Sequence, residues 1–126
     1  MCHDEEPEAI WCGGGVTIGG KDGFAHVNLD KKRVVESISI KFKPDDFDSV
    51  SEAIIKKYGK PKVLKSIISN AMGASFAQVE MEWKNKTAIM VLRKYDDKID
   101  EGNLWVVTNK KLKEYDQKNQ KNKSDI

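Results

Sequence analysis

Apolar and polar residues alternate along several short stretches of this chain, and one stretch between them switches to helical spacing. From Phe24 to Leu29, Ala25, Val27 and Leu29 share one parity and Phe24, His26 and Asn28 the other. From Val34 to Lys43, Val34, Ile38, Ile40 and Phe42 oppose Ser37, Ser39 and Lys41. A period of two sends each set to its own face of a strand, and the polar run Asp30-Lys31-Lys32-Arg33 between the two stretches predicts a hairpin. Residues 44–61, PDDFDSVSEAIIKKYGKP, repeat at helical spacing instead: Phe47, Val50, Ile54 and Tyr58, with Ala53 beside them, form one apolar stripe. Asp45 or Asp46 suits the first turn and Lys56 and Lys57 the last, while Gly59 and Pro61 stop the helix.

Beyond the helix, residues 62–69 form a strand that Asn70-Ala71-Met72-Gly73 interrupts as a bulge or bend. Ala77, Val79, Met81 and Trp83 alternate with Gln78, Glu80 and Glu82. After the turn Lys84-Asn85-Lys86, residues 87–95 read as a strand covered on both sides for part of its length. Asp96 to Asn103 is a polar loop, and Leu104-Trp105-Val106-Val107-Thr108 a last strand; Leu112 and Tyr115 begin a short C-terminal helix. Near the start, Gly13-Gly14-Gly15 and Gly19-Gly20 predict turns around the short strand Val16-Thr17-Ile18. The expected fold is therefore α+β: a curved antiparallel sheet of about five strands, in the order β-β-α-β-β-β, with one main helix on a face.

At 126 residues the chain suits a single core. The expected organisation is an N-terminal segment 1–15, one domain over 16–112, and a polar, lysine-rich tail over 113–126. Twenty-two basic side chains against twenty acidic ones lack the basic excess of a nucleic-acid partner. No apolar run approaches the ~20 residues that cross a bilayer as a helix. Residues 1–6 are acidic where a secretory leader is basic and then apolar. Met1 directly before Cys2 reads as an initiator on a trimmed chain. Cys2 and Cys12 are the only cysteines. A disulfide between them, in an exported protein, is the first reading. Free thiols, and a metal site with His3 and His26, stand behind it, since C-x₉-C lacks the close ligand doublets of structural zinc sites.

Candidate chemistry changes the picture little. Residues 15–21, GVTIGGK, match G-x-x-x-x-G-K, but Asp22 stands where Ser or Thr should ligate magnesium, and the run leads into a strand rather than a helix. The acidic loop 95–103 places Ile99 where a calcium loop needs oxygen. No base, nucleophile and oxyanion donor assemble, so no catalytic residue, cofactor or metal is expected. The remaining handles are aromatic. Trp11 and Trp105 are candidate anchors of an interaction surface. Phe47, Met81, Trp83 and Met90 are candidates for a ligand pocket between sheet and helix.

One resemblance bears on this. Ser37–Phe42 before Asp46-Phe47-Asp48, then Lys57–Pro61, Asn70–Phe76 with Trp83, Lys98–Gly102 and the ending Ser124-Asp125-Ile126 resemble a group of small bacterial exported or envelope proteins of uncharacterised function, over roughly residues 12–126. The resemblance implies export, a leader in the precursor and a further N-terminal segment, so the chain reads as a truncated domain; it brings no catalytic residues. The expected role is a non-enzymatic module of the periplasm or envelope that binds another envelope protein, with no nucleic-acid partner. A small-ligand carrier is the alternative role, and the cytoplasm the alternative compartment.

Overall fold

The alternating stretches pair into one antiparallel sheet. The computed structural model describes residues 2–5 and 9–114. The sheet contains β1 (Cys2–Glu5), β2 (Ala9–Ile18), β3 (Lys21–Leu29), β4 (Val35–Phe42), β5 (Lys62–Ser69), β6 (Ser75–Lys84), β7 (Ala88–Arg93) and β8 (Gly102–Thr108). The single long helix, α1 (Phe47–Tyr58), lies between β4 and β5 in the chain. The spatial order is β1-β2-β3-β4-β8-β7-β6-β5. Two four-stranded meanders thus meet at the β4–β8 seam, and α1 carries the chain from one to the other.

This corrects the expected count and order: four strands precede the helix and four follow it. The difference has two physical sources. Gly13, Gly14 and Gly15 lie inside β2, fully paired with His26, Ala25 and Phe24, and none has positive φ. A glycine without a side chain is invisible to an alternation pattern, yet it extends as readily as it turns. Asn70 to Gly73, in turn, is a complete reversal rather than a bulge. Gly73 has φ 84°, its N–H donates to the Asn70 carbonyl, and Asn70 Oδ1 accepts from the N–H groups of Met72 and Ala74. An Asn that captures backbone donors two and four residues on is a local turn device. It joins β5 to β6.

The turns seen in the sequence close as their chemistry dictates. Gly19 and Gly20, at φ 58° and 76°, are the two-residue loop between β2 and β3, the positive-φ pair that a tight hairpin needs. They lead into a strand, not into the helix a phosphate loop requires. Asp30 Oδ1 accepts from Lys32 and Val34 N–H in the β3–β4 turn. Asn85 Oδ1 does the same for Thr87 and Ala88 between β6 and β7.

Helix α1 buries Phe47, Val50 and Ile54 against Phe42, Leu92 and Leu104, with Ile18, Ile40, Val79, Met81, Trp83 and Met90 around them. Two details differ from expectation. A 3₁₀ turn, Pro44–Asp46, leads in, and Asp46 at the N-cap position makes no side-chain cap hydrogen bond. Tyr58, the last residue of the stripe, is 58% exposed. Both ends of the helix are tied to the sheet. A Cβ on Gly19 would lie 2.5 Å from the Ser49 carbonyl oxygen, so the β2–β3 turn abuts the first helical turn. At the other end Trp83 Nε1 donates to the Gly59 carbonyl at 2.9 Å. Twelve residues reach about 18 Å, close to four strand spacings. The helix therefore spans from β3 to β6, and β5 lies beyond its reach.

Strand β2 runs across the expected boundary at residue 15, so the sheet is continuous there. Residues 109–114 are helical, and Lys111 Nζ lies 3.0 Å from Glu36. The expected tail from residue 115 onward, Tyr115 included, lies outside the described residues.

Candidate functional site: the sheet face opposite the helix

Directly opposed residues of antiparallel neighbours share a face, so the strand registers lay out both faces of the sheet residue by residue. On the helix side lie Cys12, Val27, Ile38, Val106, Met90 and Trp83 in one row, with Ala25, Ile40, Leu104, Leu92 and Met81 in the next. On the opposite side one row runs Gly13, His26, Ser39, Trp105, Val91 and Glu82, and its neighbour Gly15, Phe24, Lys41, Asn103, Arg93 and Glu80. A third row of this face runs Trp11, Asn28, Ser37, Val107 and Ile89; Val107 and Ser37 are buried there, while Trp11, His26, Ser39, Val91 and Trp105 are half-buried.

Its side chains organise one another instead. The Trp11 indole stacks on the His26 imidazole with ring centroids 4.6 Å apart and planes 15° apart. The indole also reaches over Gly13, where a Cβ would meet its ring at 3.0 Å. The missing side chain at Gly13 leaves the space that Trp11 fills, whereas Gly14 and Gly15 border open space. His26 Nε2 and Asn28 Oδ1 are 3.2 Å apart, and Asn28 Nδ2 donates to Ser37 Oγ at 2.9 Å. Ser37 is only 5% exposed, so its hydroxyl needs this partner.

Trp105 occupies the same row as His26, with only Ser39 between them. The two ring sites are thus two strand spacings, about 10 Å, apart. Ser39 Oγ donates to Asn103 Oδ1 at 2.7 Å. Arg93 Nε donates to Glu80 Oε1 at 3.0 Å. Gln78 spans to Tyr95 with a paired donation and acceptance. Ser39, Glu80, Val91, Arg93, Asp96, Asn103 and Trp105 enclose an open cleft of about 390 Å³. The Arg93–Glu80 pair is half in water, so it holds geometry more than it supplies stability.

The structure therefore brings Trp11 and Trp105, remote in sequence, onto one face and into neighbouring rows. The other group divides. Phe47 is 4% exposed and belongs to the core; Met81 packs against that core. Trp83 and Met90 pack against the same core and also border an open cleft of about 490 Å³ on the helix side, with Tyr58, Ile38 and Val106. Cys2 and Cys12 sit opposite each other on β1 and β2 and form a disulfide. No group of three or more metal-ligating side chains occurs among the described residues.

The Trp11–His26–Asn28–Ser37 network is absent from the expectations drawn above. Its signal was the even-numbered set Phe24, His26 and Asn28 facing the odd-numbered Ser37 and Ser39, which marks one polar face. Placing Trp11 there requires the β2 register, and the glycines hide it. No helix among the described residues is long and apolar enough to cross a membrane. Comparison with known protein families, with characterised proteins and with solved structures returns no match.

Proposed function

We propose that the protein is a non-enzymatic recognition module of the bacterial envelope, which binds another envelope protein on the sheet face opposite α1. The observation that carries this reading is the placement of Trp11 and Trp105 on that one face, each half-buried beside hydrogen-bonded polar side chains. Aromatic rings held by their neighbours make rigid anchors at low entropic cost. The Cys2–Cys12 disulfide supports an oxidising compartment, since such bonds persist outside the reducing cytosol.

The test is a photo-crosslinking residue at Phe24, which is 52% exposed on this face, and at Glu52, exposed on the helix. Irradiation of intact cells should give one discrete adduct from Phe24 and none from Glu52, and Trp11→Ala with Trp105→Ala should abolish it. Equal adducts from both positions, or adducts indifferent to the tryptophans, would refute the reading.

The small-ligand carrier rests on the cleft beside Trp83 and Met90, at the C-terminal end of α1. Native mass spectrometry of freshly purified protein separates the two: a reproducible added mass, lost on Met90→Trp, favours the carrier.

A further inference from the structure

Strand β5 is one of the two edges of the sheet among the described residues, and it carries apolar side chains on both faces. Val63 and Ile67 point to the helix side, but α1 ends over β6; they remain 45% and 77% exposed. Leu64, on the opposite face, is 48% exposed, and half-buried Ile68 lies on that same face four residues on. Met72, in the turn that follows, is 92% exposed. Half of the large hydrophobic residues that the described chain leaves in water thus lie on one strand and its turn. An unpaired edge with apolar side chains is a template for another strand. Surface leucines scattered singly need no explanation, but a row along open backbone does.

From this we infer that the protein forms a two-fold homodimer through β5, whose β5 strands pair antiparallel about Ser66 and extend the sheet across the two copies. The occupant is a second copy because β5 fits itself: run antiparallel, its own apolar residues fall opposite one another, and charge then selects the register. In a sheet continued through a two-fold axis normal to it, opposed residues must share a face, so one residue lies opposite its own copy across the axis. Centred on Lys65, the pairing sets Lys65 against its own copy, and like charges directly opposed are destabilising. Centred on Ile67, it opposes Ser66 to Ile68 and leaves one apolar pair, Ile67 with itself. Centred on Ser66, it opposes Leu64 to Ile68 twice. It also lays the Lys65 stem along Ile67 twice, where a lysine covers apolar surface and keeps its ammonium in water. Of these three registers, only that one opposes two apolar pairs without setting a lysine against its own copy.

Sedimentation velocity of the 126-residue chain should show a monomer that converts to dimer as concentration rises. Leu64→Lys and Ile67→Lys, both at exposed positions, should shift the midpoint upward by about tenfold or more each, with the circular dichroism spectrum unchanged. Ser66→Cys tests the register, because paired residues on a two-fold lie within disulfide reach. Mild oxidation should give a covalent dimer from Ser66→Cys much faster than from Lys65→Cys or Lys86→Cys, with the Cys2–Cys12 bond verified by mass. Hydrogen exchange on the unaltered chain adds a readout without substitutions: β5 amides should gain protection with concentration. A monomer at every concentration with β5 exchange unchanged would overturn the proposal. So would crosslinking of Ser66→Cys no faster than the controls, or β5 protection that appears only when a different protein is added.

Discussion

Glycine identity alone says little about what a glycine does, and Gly102 and Gly14 make the point within one sheet. A Cβ on Gly102 would lie 2.4 Å from the Phe42 ring and 3.0 Å from the Lys94 carbonyl oxygen. Phe42 is in the core and β8 is held between β4 and β7, so neither side can retreat freely. Gly102→Ala should cost about 1–3 kcal/mol, as overpacking of a filled interior does. At Gly14 a Cβ meets nothing within 4 Å and φ is not positive. Gly14→Ala should instead stabilise by about 0.5–1 kcal/mol, because alanine loses less backbone entropy on folding. Urea unfolding of the two variants checks both signs. The sequence could not separate them: what distinguishes Gly102 is a ring sixty residues earlier in the chain, and only the β4–β8 register brings it there. The turn residues were legible for the opposite reason. Asp30 and Gly19-Gly20 act on backbone within four residues, so their meaning is local.

At the level of elements, α1 was readable because its periodicity, its terminal charges and its stop agree, and the buried stripe Phe47, Val50, Ile54 follows from spacing alone. Ile54→Ala should destabilise by about 2–5 kcal/mol, the usual cost of emptying a buried isoleucine site, whereas Tyr58→Ala, at 58% exposure, should cost well under half as much. Thermal unfolding of both tests whether the stripe ends at residue 54. Strand β2 was unreadable because three consecutive glycines erase the alternation that marks a strand, and β1 because four residues are too few to show a period. The disulfide belongs to this pair. It joins β1 only to β2, at the end of the sheet away from the β4–β8 seam. Reduction, or Cys2→Ser with Cys12→Ser, should therefore release β1 as a local unit rather than unfold the domain. Hydrogen exchange should rise sharply at residues 2–5 while β4, β7 and β8 keep their protection. Loss of protection across the whole sheet would show that β1 is integral to the core.

Across the whole molecule, the two proposed surfaces sit at places with different constraints. Trp105 lies on β8, three strand spacings from β5, and Trp11 on β2, six spacings away; at about 14 and 29 Å they exceed the distance over which substitutions usually couple. The face opposite α1 faces sideways from the sheet plane, whereas β5 pairing lengthens the sheet within that plane, so a dimer leaves the face of each copy open. Trp105→Ala should weaken adduct formation from Phe24 by about 30-fold or more if the indole is a central anchor worth about 2 kcal/mol, with the dimer midpoint unmoved. Leu64→Lys should do the reverse. Dimerisation would then act on recognition through valency alone: an envelope-bound partner presented at high density should retain the dimer longer than the Leu64→Lys monomer, although each face binds equally well. Surface plasmon resonance at low and high partner density separates the cases. Equal retention of both proteins at high density would mean that the faces of a dimer cannot engage together, and slower release of the dimer even at low density would mean that β5 pairing alters the face itself.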